Sequence, residues 1–285
     1  MSSTFVLKLS CVDRPGIITS ITGVLLAQGA NITDAHQFND PSTGRFFMRV
    51  LFDVADGASI ADIEQALKPL AESFQAEISL HDQSVPRKVV IMVSHLDHCM
   101  GDLLYRVQIG EMAMDVVAII SNHPMSPLKA SMIGDIPYHY LPITPDTKPQ
   151  QEAQVKQLIT ESGAELVILA RYMQILSDDL SRFLEGRCVN IHHSSLPGFK
   201  GARPYHQAFD RGVKLIGATA HLVTSDLDEG PIIEQDIEHI SHADMPEELV
   251  RKGRDIERRV LARAVGYLLQ DRVFVNGSKT VVFKN

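Results

Sequence analysis

Four apolar runs constrain the architecture most. VVIMVS at 89–94, DVVAIIS at 115–121, YHYLPI at 138–143 and ELVILA at 165–170 each have the length of a strand. They are too uniformly apolar to alternate, which is the pattern of strands covered on both faces in a parallel sheet. Parallel neighbours need long crossover connections. PQQEAQVKQLITESG at 149–163 supplies one as a helix, with Gly163 as its stop. A long helix is expected over 246–271, and RVFVNGSKTVVF at 272–283 reads as a hairpin turning at Asn276-Gly277 in a type I′ geometry.

The first third has a different rhythm. TFVLKLSCV at 4–12 is a strand. DRPGIITSITGVLLAQG at 13–29 is a helix, with Asp13 as its expected cap, Pro15 near the first turn and Gly29 as its stop. ITDAHQF and RFFMRVLFDV are strands around the turn NDPSTG. Ile60, Ile63, Leu67 and Leu70 repeat at a helical period, and AEISLH closes the set. The order is strand, helix, strand, strand, helix, strand. The polar stretch HDQSVPRK at 81–88 is the linker, so the expected division is 1–84 and 85–285. The fold class is α/β: a ferredoxin-like βαββαβ domain ahead of a Rossmann-like domain with a mostly parallel sheet.

Chemistry concentrates at NIHHSSLPGFKGA, 190–202, and at Asp228 in LDEGPII. CVNIHH reads as a short strand ending in polar groups, and ligands of open α/β sheets bind beyond the carboxyl ends of strands. Residues two apart share a strand face, so Asn190 and His192 point together and His193 points away. Asn190 can donate to a developing oxyanion. His192 can transfer a proton near neutral pH. Asp228 can orient the imidazole or hold a water. The competing reading makes Asn190 a turn cap and His192 a satisfied structural histidine.

These blocks resemble the folate-dependent formyltransferase family, whose pattern NIHxSxLPxxKG followed by HxVTxxxDxGPII is met here with Asn190, His192 and Asp228 in the catalytic positions. ARYMQILS at 170–177 matches the loop by which that family holds a pterin. The resemblance spans 87–285. It implies substrate contacts at Met173, Gln174, Ile175 and Leu176, with Val223 and the 224–228 loop opposite, His221 in support and Lys200, Arg203 and Tyr205 near the rim. DRPGI in a βαββαβ setting resembles the ACT domains. These bind amino acids and usually pair, which implies an effector site at Asp13, Arg14, Pro15, Gly16, Ile17 and Asn31. Glycine or methionine is the expected effector, and a homodimer or homotetramer the expected assembly.

An ACT domain fused ahead of such a catalytic domain resembles the deformylase branch of the folate family. The resemblance implies hydrolysis of 10-formyltetrahydrofolate to formate and tetrahydrofolate, with formate feeding purine synthesis and the one-carbon folate pool kept in balance. Departures from the transferases agree. Where glycinamide ribonucleotide formyltransferases carry a glycine-rich phosphate loop, this chain has SHLDHCMGDLL, with Gly101, His95, His98 and the acidic Asp97. The tRNA-gripping C-terminal domain of methionyl-tRNA formyltransferases has no counterpart. His193 stands where the transferases have proline. A transferase for another small acceptor and a non-catalytic folate or amino-acid sensor are the rival functions. Acceptor-independent formate release separates them.

Composition bounds the rest. At 285 residues two domains fit, each with its own core. A net charge of −8 disfavours nucleic acid. No apolar run reaches membrane-spanning length, and the start has no basic segment ahead of an apolar one, so a cytoplasmic protein is expected. Cys11, Cys99 and Cys188 are odd in number and scattered, as for reduced thiols. There is no GxGxxG after a strand, no P-loop, no HExxH, no CxxC and no GxSxG. Neither metal nor organic cofactor is expected, because the formyl group arrives already activated.

Overall fold

A computed structural model describes residues 3–54, 59–196 and 204–284. The first elements are β1 (Ser3–Val12), α1 (Ile17–Ala27), β2 (Asn31–Asp40), β3 (Arg45–Val54), α2 (Ile60–Phe74) and β4 (Glu77–Asp82). They form an antiparallel sheet in the order β2-β3-β1-β4, the ferredoxin-like arrangement the sequence predicts. Alternation along β3 sends Phe46, Met48, Val50 and Phe52 into one core with Leu7 and Leu9 of β1, Ile21 and Leu25 of α1, and Ile63 and Leu67 of α2.

Asp13 does not cap α1. The N-cap is Gly16, at φ 94°, a left-handed conformation that favours glycine, and no side chain caps it. Asp13 instead donates its backbone N–H to Gly44 O, at 2.8 Å, which ties it to the β2–β3 turn. Helix α2 does carry a side-chain cap, with Ser59 Oγ accepting from Asp62 N.

The second series is β5 (Arg87–Val93), α3 (His98–Gln108), β6 (Met114–Ser121), α4 (Pro127–Ile133), β7 (Tyr138–Tyr140), α5 (Lys148–Ser162), β8 (Leu166–Leu169), α6 (Asp178–Phe183), β9 (Cys188–His192), α7 (Pro204–Asp210), β10 (Leu215–Leu222), β11 (Ile232–His239) and α8 (Pro246–Leu269). Seven strands make one sheet in the order β11-β10-β9-β8-β5-β6-β7. Strands β5 to β9 run parallel, and β10 is antiparallel to both β9 and β11. Met92, Val167, Leu169 and Cys188 from the strands pack with Val155, Ile159 and Leu180 from α5 and α6.

The chain ends in β12 (Val273–Asn276) and β13 (Lys279–Val282), which pair with each other. The compact units are 1–86 with 270–276 and 280–285, and 87–269 with 277–279. Most of the terminal hairpin thus joins the N-terminal unit. Phe274 and Phe283 pack on Phe47, which alternation places on the sheet face opposite the helices. Lys8 donates to Val273 O and Arg49 to Gln270 O. Periodicity within the hairpin carries no information about which sheet it covers. Its turn also differs from expectation. The residues between the strands are Gly277 and Ser278, and only Gly277 has positive φ, at 63°. Type I′ needs positive φ at both. Among the described residues no helix is long and apolar enough to cross a membrane.

Candidate active site

Strand β9 ends at His192, the point where its parallel neighbours also give way to loops. Beyond their carboxyl ends lies a cavity of about 350 Å³. Met173, Gln174, Ile175 and Leu176 form one wall. Val223 and Thr224 to Asp228 form another, and Asn190, His192, His193 and His221 complete the lining. Met173 (52%), Ile175 (61%) and Leu227 (56%) are exposed, so large apolar side chains stand open around the mouth of a cavity with polar groups inside. That suits a flat, partly apolar ligand.

The antiparallel pairing of β9 with β10 sets His221 opposite Asn190. His221 Nδ1 donates to Leu222 O at 2.9 Å, so its Nε2 is an acceptor, and Asn190 Nδ2 donates to it at 3.2 Å. Burial lowers the His221 pKa and keeps the ring neutral. One amide hydrogen of Asn190 is thereby anchored and the other is left free to turn toward the cavity. The expected support of Asp228 by His221 is weak, since the nearest approach is 3.8 Å to a neutral ring.

Asp228 comes from the loop between β10 and β11 and has φ 56°. Its Oδ1 lies 3.3 Å from His192 Nδ1, and this hydrogen bond is the main reason its pKa is lowered and it stays a carboxylate. The loop turns tightly because Gly230 passes against Leu222, where a Cβ would lie 1.8 Å from the carbonyl oxygen. His192 Nε2 is buried and has no hydrogen-bond partner among the described residues, as expected of an atom kept for a ligand.

His193 departs from expectation. Regular alternation stops at His192, and the two rings stack at 5.1 Å with 18° between their planes instead of diverging. Both rings line the cavity. Burial, aided by Arg171 and His192, depresses the His193 pKa to about 4, so this ring is neutral.

Gln174 and the apolar residues of 173–176 lie where the pterin loop was expected. Met173 N–H is already donated to Ser94 Oγ at 2.9 Å, so it is not open to a ligand. Lys200 and Arg203 lie outside the described residues. Tyr205 is buried, not at a rim. In the N-terminal unit Asp13, Arg14, Pro15 and Gly16 are exposed while Ile17 is in the core, and Asn31 is exposed at the start of β2. Arg14 stacks over Phe74 at 4.5 Å.

Residues 87–265 match the Formyl transferase family and residues 5–72 the ACT domain family. A protein of Corynebacterium sp. (strain P-1) named formyltetrahydrofolate deformylase is 46% identical over 283 residues, 98% of each chain. A solved formyltetrahydrofolate deformylase from Burkholderia mallei ATCC 23344 superposes with a TM-score of 0.94 at 50% identity, over 99% of this chain and 100% of that one. This chain belongs to the formyltetrahydrofolate deformylase family. The glycinamide ribonucleotide transformylase 1 of Symbiobacterium toebii is more distant, with a TM-score of 0.65 at 26% identity. It covers 72% of this chain and 98% of that one.

Beside the cavity of this family member lies a polar network that sequence reasoning missed. Glu257 of α8 accepts from Tyr205 Oη at 2.6 Å and binds His98 Nε2 at 2.7 Å, with Arg171 Nε at 3.4 Å. Burial alone would raise the Glu257 pKa; His98, Arg171 and Tyr205 reverse it, and the group stays ionised. Tyr205 fits only because position 253 is glycine, where a Cβ would lie 2.1 Å from the ring. A signal existed: Glu257 falls among Leu249, Gly253, Ile256 and Val260 on the buried face of α8, and a charge on an apolar stripe calls for a buried partner. His98, Cys99 and Glu257 are close enough to share an ion. Yet both Glu257 oxygens are committed, a guanidinium is adjacent, and burial holds Cys99 as a thiol. The set therefore reads as an ion-pair network.

Proposed function

We propose that this chain hydrolyses 10-formyltetrahydrofolate to formate and tetrahydrofolate, the activity for which its relatives are named. The observation that carries this is the cavity that joins an apolar, open-mouthed wall at 173–176 to Asn190, His192 and Asp228. The pterin packs against Met173, Gln174, Ile175 and Leu176, with Val223 closing the other side. Asp228 uses Oδ1 for His192, which leaves Oδ2 to hold a water against the formyl carbon. As the water oxygen bonds to that carbon, its proton passes to His192 Nε2, while Nδ1–H stays hydrogen-bonded to Asp228 Oδ1. The free Asn190 amide hydrogen meets the oxyanion. Protonated His192 then donates from Nε2 to the leaving nitrogen as the C–N bond breaks. The formic acid released ionises to formate. His221 is a positioning residue, because it fixes the Asn190 amide.

The chemistry needs no cofactor or metal. We further propose that the ACT module takes a small amino acid such as glycine or methionine, that the chain forms a homodimer or homotetramer, and that it works in the cytoplasm, supplying formate for purine synthesis. The test is direct. Purified protein with 10-formyltetrahydrofolate and no acceptor should release one formate per tetrahydrofolate formed. Absence of formate while an added acceptor gains a formyl group would favour a transferase instead.

A further inference from the structure

Arg171 is at odds with its backbone. It has φ 65°, a conformation in which L side chains are strained, yet it carries a long side chain that is only 8% exposed. The backbone is pinned there by Ser94 N, which donates to Arg171 O at 3.2 Å, and by Ala170 N, which donates to Met92 O at 2.9 Å. A structural ion pair would be complete with the guanidinium forked onto Glu257. Instead Nε stands 3.4 Å from Oε2 without forming a hydrogen bond, and neither Nε nor Nη1 has a hydrogen-bond partner among the described residues. Buried guanidinium donors left open are costly, and they mark a place for an absent acceptor.

The cavity gives the chemistry of that acceptor. Arg171 is the one arginine or lysine among the described lining residues, whereas Asp226 and Asp228 also line the cavity and Asp228 is held ionised. Hydrolysis there creates a new anion beside a fixed carboxylate. The residue lies next to His193, whose ring stacks on catalytic His192. We propose that the Arg171 guanidinium is the site that receives the formate product, its carboxylate taking a charge-assisted hydrogen bond from one of the unpartnered donors, Nε or Nη1. This rests on the deformylase reading above. It assigns Arg171 to a small planar monocarboxylate.

The test is titration of carbon-13 formate into the full-length protein, followed by NMR, alongside product inhibition by formate of 10-formyltetrahydrofolate turnover. Wild-type protein should bind formate, and a buried guanidinium N–H resonance should shift as it does. Arg171→Met removes the charge; Arg171→Met with Glu257→Gln keeps the buried charge balanced if the single variant does not fold. Either should weaken formate binding and inhibition about tenfold or more, the scale of one charge-assisted hydrogen bond. Arg171→Lys should recover part of it. Formate binding equally to wild type and a folded variant, or not at all to wild type, overturns the proposal. If formate binds through Arg171 but no folate is hydrolysed, the functional reading falls and the site stands.

Discussion

The proposed mechanism gives Asp228 two roles in one side chain, Oδ1 for the His192 ring, from which it lies 3.3 Å, and Oδ2 for a water. Asp228→Asn should leave folding intact and lower turnover by about a hundredfold or more, the scale of one preorganised catalytic group. Steady-state kinetics with unchanged binding of a non-hydrolysable folate would check this. Adding His192→Ala should cost far less than the sum of the two, because the groups act as a unit. His193 predicts a pH effect. Its folded pKa of about 4 lies below the ordinary 6.5, so between those values the unfolded chain binds the extra proton. Stability therefore rises with pH across that window, by about 3 kcal/mol at most. His193→Asn should flatten this slope in denaturant unfolding measured from pH 4 to 7. A slope as steep as that of wild type would remove His193 as its source. The placement of these groups was in part legible at the residue scale. Asn190 and His192 share a strand, and period-2 geometry places them together. The stacking of His193 was not legible, because it begins where the strand period ends.

Helix α8 separates intrinsic propensity from packing. Gly253 and Gly266 both sit inside it. An alanine at 266 meets nothing within 4 Å, whereas at 253 its Cβ would fall 2.1 Å from the Tyr205 ring. Gly266→Ala should stabilise by about 0.5–1 kcal/mol, the helix-propensity gain. Gly253→Ala gains the same propensity and must still destabilise, because the buried ring would have to move and release Glu257. Thermal unfolding of the two variants should shift in opposite directions. A rise for both would mean that Tyr205 is not held against α8. The sequence shows both glycines on a long helix but cannot tell them apart. The difference comes from a residue 48 positions away in the chain. Three of the four runs read as parallel strands were legible for the opposite reason: uniform apolarity over a strand length is itself the mark of burial on both faces. The run at 138–143 was misread, since β7 is an edge strand of only Tyr138–Tyr140, half-buried to exposed.

At the scale of the molecule, the terminal hairpin decides how the chain can be divided. Two local patterns, a βαββαβ run and an alternation of strands and helices, suggest a cut near residue 84. Neither reports that Phe274 and Phe283 return to Phe47. Deleting 1–84 alone should therefore strand these rings without the sheet face that buries them. The product should aggregate or bind apolar dyes, even though Asn190, His192 and Asp228 are all retained. A fragment of 87–269 omits those rings and should stay more soluble under the same conditions. Phe274→Ala in the full chain tests the same packing without a truncation. It should destabilise the N-terminal unit by about 3–5 kcal/mol, the cost of removing a buried phenyl ring. Formate release should be far less affected where that unit is still folded, because the described residues that line the cavity all lie between 169 and 228. If the 1–84 deletion proves as soluble as the 87–269 fragment, the hairpin does not depend on Phe47 for its burial.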